Sequence, residues 1–130
     1  ELGLNGNVVL TGFVEKEDLP ALYSGATAFI CVSLYEGFGL PLLEAMACAT
    51  PVLASQSSSL PEVVGDTGIL VDPLSPPHIA AGLERLAYDQ ETSERLSQMA
   101  RARSLEFRWE KAARAVTGLY EEAAKGGGGG

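Results

Sequence analysis

The chain has little of what metal clusters, disulfide scaffolds and membrane spans are built from. Only two cysteines, one histidine and one tryptophan occur in 130 residues. Cys31 and Cys48 both sit among apolar neighbours, and two cysteines alone make neither a zinc site nor a disulfide framework, so they read as reduced core thiols. No apolar run approaches the ~20 residues a spanning helix needs, and no charged start leads into an apolar signal segment, so the expectation is a soluble, cytoplasmic chain. Basic residues are also scarce, nine against seventeen acidic ones, for a formal net charge of −8. That balance argues against nucleic acid, whose phosphates would be repelled. The lone His78 follows two prolines at a predicted helix start and reads as solvent-facing or capping.

What the chain does have is short apolar, β-branched runs alternating with helical patterns, in a length that suits one core. Asn7 to Phe13 reads as a buried strand entering a loop, and Glu17 to Gly25 as a short helix with Leu19, Leu22 and Tyr23 at helical spacing. Thr27 to Ser33 is again strand-like. Gly39 to Ala49 is rich in Leu, Ala and Met, with Pro41 suited to a first helical turn. Pro51 to Ser55 and Gly68 to Asp72 complete the strand set. Ser75 can cap and Pro76 begin a helix that aligns Ile79, Leu83 and Leu86, and the remainder reads as two further helices. Leu96, Met99, Ala100 and Leu105 mark the first of these, and a Trp109 to Tyr120 stripe marks the second. Gly126 to Gly130 cannot pack and is set aside as a linker or placeholder.

Such alternation predicts an α/β fold, a parallel sheet with helices on both faces and ligands outside the carboxyl ends of the strands. The loop Leu34 to Leu40, between a strand and the helix at Pro41, is therefore the most informative. Gly37 and Gly39 let backbone approach a ligand, and the helix start adds unpaired amides and a positive dipole end, which suits phosphate. Glu36 lies in the loop and Glu44 eight residues on, within the helix. Carboxylates do not bind phosphate but accept hydrogen bonds from sugar and ribose hydroxyls, so the pair suits a sugar joined to a nucleotide. A glutamate near a helix start is also a common dipole-complementing surface charge, and Gly-Phe-Gly a common tight turn. The spacing alone leaves both readings open.

The stretch Ser33-Leu-Tyr-Glu36-Gly-Phe-Gly-Leu-Pro-Leu-Leu-Glu44-Ala-Met-Ala-Cys48-Ala-Thr-Pro51-Val resembles the donor-site signature of the retaining glycosyltransferases of family four, or group 1 transferases. Two glutamates separated by seven residues are its hallmark. The resemblance runs on through Gly12-Phe13-Val14, Leu22 to Ala26, Ser59 to Asp66, Gly68 to Pro73, Phe107 and Trp109-Glu110. It implies a GT-B enzyme of two Rossmann-like domains, hexosyltransferase in type, with this chain as the C-terminal part of the donor half. Residues 1–125 would be a nucleotide-sugar-binding domain lacking its first strand-helix units.

By the same resemblance, Glu36 is the catalytic residue, contacting hydroxyls of the transferred sugar. Glu44 holds the ribose, the amides of Gly37, Phe38, Gly39 and Leu40 meet sugar and diphosphate, and Gly12, Phe13 and Val14 line the base. The substrate is a nucleotide-diphosphate sugar, with no cofactor and no metal. Departures include the absence of an acceptor domain and of the Arg/Lys clamp on the diphosphate, leaving Lys16 as the nearest cation by sequence. If each missing charge-assisted hydrogen bond is worth roughly 1.5–3 kcal/mol, losing two weakens binding by about two to four powers of ten. The chain alone is thus expected to bind donor weakly and to transfer nothing. Ala49 stands where the family usually has glycine, and Gln56 where it has Asp or Asn; both read as mild changes. The stripe of the last helix reads as partly an interdomain surface, the arginines at 101, 103 and 108 as a solvated face, and the sheet edge near Asn7 to Phe13 as open to self-association. The alternatives are a nucleotide-sugar epimerase of the same architecture, and a non-catalytic nucleotide-sugar-binding module.

Overall fold

The computed structural model describes residues 3, 4 and 6–126. Strands β1 (Phe29–Cys31), β2 (Val52–Ser55) and β3 (Ile69–Val71) lie side by side in that order, all parallel. Parallel neighbours need a long crossover, and helices α2 (Leu40–Ala47) and α3 (Leu60–Val64) supply one each. Helix α1 (Leu19–Gly25) precedes the sheet; α4 (Pro76–Tyr88), α5 (Gln90–Ser104) and α6 (Trp109–Gly126) follow it. No helix among the described residues is long and apolar enough to cross a membrane.

Side chains alternate along β2, which sends Val52 and Ala54 to one face with Leu42, Met46, Leu60 and Val63, and Leu53 to the other with Val71, Leu86 and Leu96. Helices cover both faces, so β2 is buried along its whole length, and this is why the run is apolar without polar alternation. Leu42, Ala45 and Met46 recur at helical spacing and are buried, which turns Glu44 outward. At the next helix but one, Ser75 caps α4 as its sequence predicts, its Oγ accepting the His78 N–H at 3.4 Å.

Several expectations are corrected. Asn7 to Phe13 forms no strand: among the described residues β1 pairs only with β2, and Val8, Val9, Leu10 and Phe13 are exposed. A strand exists only where a neighbour takes up its amides and carbonyls, and residues 7–13 have none. Among the described residues the sheet edge on that side is therefore β1, with β3 at the other. Ile30, its outward residue on the face away from α2, is 45% exposed. Gly126 closes α6 as its last residue, since a final helical residue needs only to donate back along the helix; residues 127–130 lie outside the described residues. Ala49 has φ +58°, so it is no mild replacement for glycine. The left-handed region costs a non-glycine residue about 1–2 kcal/mol, and here the Ser97 hydroxyl, 2.6 Å from the Ala49 carbonyl, helps hold it.

Arg103 does not belong to a solvated face either. Its guanidinium donates to the carbonyls of Val63 at 2.7 Å and Glu62 at 2.6 Å, closing the carboxyl end of α3, and lies 5.5 Å over the Phe107 ring. A helix of five residues cannot sustain itself, so this external cap is what ends it in place. Arg103→Ala is expected to lower unfolding free energy by about 1.5–3 kcal/mol, measured by chemical denaturation. Loss of under about 0.5 kcal/mol, the range of an ordinary surface change, would return the side chain to the solvated face.

Candidate functional site

The carboxyl ends of β1 and β2 bring two loops together, residues 32–39 and 56–59. Four serines knit them. Ser55 Oγ donates to the Ser33 carbonyl at 2.6 Å, and Ser33 Oγ donates to Glu36 Oε1 at 2.9 Å. Ser58 and Ser59 hydroxyls donate to the Glu36 carbonyl at 2.7 and 2.9 Å. Glu36 is half-buried in consequence, at the lip of the sheet.

After Glu36 the chain reaches α2 through Gly39, whose φ of +91° turns the backbone into the helix. Leu42 and Leu43 N–H both bond back to the Gly39 carbonyl at 3.1 Å. Pro41 has no N–H, and among the described residues no hydrogen bond is donated by the amides of Gly37, Phe38, Gly39 or Leu40. Free amides at the start of a helix are the arrangement that favours an anion. Phe38 leaves the loop sideways, its ring edge-on to Phe107 at 6.0 Å, and with Leu40, Leu43 and Trp109 it lines an open groove of about 670 Å³ toward α6.

Glu44 stands exposed further along α2, and its partner was not foreseen from sequence: Tyr23 of α1 donates its hydroxyl to Glu44 Oε2 at 3.1 Å. Tyr23 is fixed in turn by an edge-on contact with Phe29 at 5.5 Å, while its carbonyl accepts the Thr50 hydroxyl at 2.7 Å. The only sequence signal was Tyr23 itself, a hydroxyl-bearing ring on the packed face of a short helix. Burial, and then the hydrogen bond and negative charge of Glu44, push the phenol up to about 12. A raised folded pKa means this contribution to stability is fully present below pH ~10 and is lost as pH rises through about 12. In an ultraviolet titration one of the four tyrosines should ionise late, and Glu44→Gln should bring it part of the way down. A late transition unmoved by Glu44→Gln would leave burial as its sole cause.

The loop residues from Glu36 to Leu40 thus lie beyond the carboxyl end of β1, with Glu44 on the second turn of the helix that starts there. Phe13 is 84% exposed, and among the described residues no hydrogen bond ties Gly12, Phe13 or Val14 to the loop.

Residues 1–103 match the family model described as glycosyl transferases group 1. The chain is 42% identical over 110 residues to the O-antigen chain mannosyltransferase B of Escherichia coli, covering 85% of this chain and 29% of that protein. The C-terminal domain of a group 1 family glycosyl transferase from Francisella tularensis superposes with a TM-score of 0.71 at 33% identity, over 80% of this chain and 55% of that one. An Anabaena protein solved in complex with UDP and glucose superposes with a TM-score of 0.83 at 25% identity, over 92% of this chain and 33% of that one. The chain spans about a third or less of the length of the first curated relatives it matches.

Proposed function

Since this chain belongs to the group 1 glycosyl transferases, we propose that it carries the donor site of a retaining, family-four hexosyltransferase, which moves a sugar from a nucleotide sugar to an acceptor. The observation that carries the reading is the free-amide loop Gly37 to Leu40 with a carboxylate held by protein hydrogen bonds at each end, Glu36 through Ser33 and Glu44 through Tyr23. Amides and the helix start meet the diphosphate; the two carboxylates accept hydroxyls, Glu36 from the transferred sugar and Glu44 from the ribose. The relatives support the chemistry, one named as a mannosyltransferase and another solved with UDP and glucose. A half of this kind works with an acceptor-binding domain across the cleft, and needs no metal or further cofactor to hold its donor. Gly12 to Val14 would line the base.

An acidic chain whose site residues include no cation should bind its donor weakly. Adding UDP, GDP and ADP sugars should therefore shift amide resonances of residues 36–44 with a dissociation constant on the order of millimolar. Glu44→Ala should weaken sugar nucleotide and bare nucleotide together, by roughly tenfold, because a ribose contact serves both. Resonances unmoved by all three donors would sink the donor-site reading, and micromolar binding would overturn the expectation of weakness.

A further inference from the structure

Glu36 is held more tightly than a turn requires. One hydroxyl, Ser59 Oγ at 2.9 Å, already satisfies its carbonyl. Ser58 adds a second at 2.7 Å and also receives the Glu36 N–H at 3.4 Å, gripping both ends of the residue's backbone. To do so Ser58 adopts φ +58°, the left-handed region that a serine occupies only under constraint. If closing the loop were the whole task, glycine would do it without strain. Strain of this kind is retained where surrounding structure demands one geometry. The side chain is fixed as well, because Ser33 occupies Oε1 and is itself set by Ser55 through a 2.6 Å bond to its carbonyl.

We propose that Ser58 and Ser33 are positioning residues for Glu36: Ser58 sets its peptide and Ser33 its carboxylate, so that Oε2 is presented to a hydroxyl of the transferred sugar. The proposal rests on the donor-site reading above. Its signature is selective. Loosening Glu36 should lower affinity for the sugar-bearing nucleotide and leave the bare diphosphate alone, since Glu36 touches only the sugar.

The test compares UDP-glucose with UDP, and GDP-mannose with GDP, by resonance titration of the whole chain and of its Ser58→Gly, Ser33→Ala and Glu36→Ala variants. Ser58→Gly should melt near the parent temperature, because the strain relieved offsets the two hydrogen bonds lost, yet lose roughly three- to tenfold of the preference for the sugar-bearing form. Ser33→Ala, which leaves the backbone grip intact, should lose a similar factor. Should Glu36→Ala erode the preference while both serine variants keep it, the positioning role is overturned and the donor site stands. Should Glu36→Ala keep it too, the donor-site assignment of Glu36 fails and takes the proposal with it. Equal loss for sugar-bearing and bare nucleotides in the serine variants would make them general loop supports and would also overturn the proposal. If Ser58→Gly unfolds, Ser33→Ala decides alone.

Discussion

On the donor-site proposal, exchanging Glu36 for Gln in the full-length protein is expected to lower kcat by about two to three orders of magnitude while leaving the fold intact. Loss of a diphosphate leaves positive, oxocarbenium-like charge on the sugar. A carboxylate about 4–6 Å from that charge, at an effective dielectric of ~20, is worth roughly 3–4 kcal/mol, or about 10²–10³ in rate. Gln keeps the shape and can still accept the Ser33 hydroxyl now bonded to Oε1 at 2.9 Å, so only the charge is removed. The same exchange removes a repulsion with the diphosphate, so affinity for bare nucleotide should hold or rise. Glu36→Ala should do more damage to turnover, because the hydroxyl contact goes with the charge. A Gln variant with kcat within tenfold of the parent would remove Glu36 from the reaction.

Much of this arrangement is legible in the sequence wherever the signal is local. Ser75 before Pro76 announces the start of α4, Pro41 the start of α2, and the apolar runs contain all three strands, because caps, proline geometry and side-chain alternation act within a few residues. Asn7 to Phe13 shows the limit: a β-branched apolar run looks the same whether or not a neighbouring strand receives it, and pairing is decided elsewhere in the chain. Helix α3 is too short to display a helical period, so Ser59 to Asp66 was recognisable as a motif but not as an element. The supports of the two glutamates are hidden for a related reason. Tyr23 lies 21 residues from Glu44, Ser58 lies 22 from Glu36, and Arg103 caps carbonyls about 40 residues before it. No periodicity links such positions: Ser58 meets Glu36 because parallel strands return successive loops to one end of the sheet, whereas Tyr23 and Arg103 reach their partners from one packed helix to another.

The two glycines of the loop, alike in sequence, should separate in experiment. Gly39 is a requirement of the fold: φ is +91°, and a Cβ there would stand 2.6 Å from a methyl of Leu60, which is fully buried and has little room to yield. Left-handed backbone costs alanine about 1–2 kcal/mol and overpacking a further ~1–3, so Gly39→Ala should lose about 2–4 kcal/mol of stability. Gly37 carries no positive φ, and a Cβ there meets nothing within 4 Å. Gly37→Ala should therefore unfold within about 0.5 kcal/mol of the parent. The space the methyl enters is open, and on the donor-site proposal a donor's phosphate or sugar stands there. That variant should then bind sugar nucleotide about tenfold or more weakly, the loss of one good contact with the ligand. Denaturation midpoints and resonance titrations of the pair decide the matter. Equal stability of the two variants would remove the structural role of Gly39, and unchanged binding by Gly37→Ala would mean that the ligand does not approach the loop at this point.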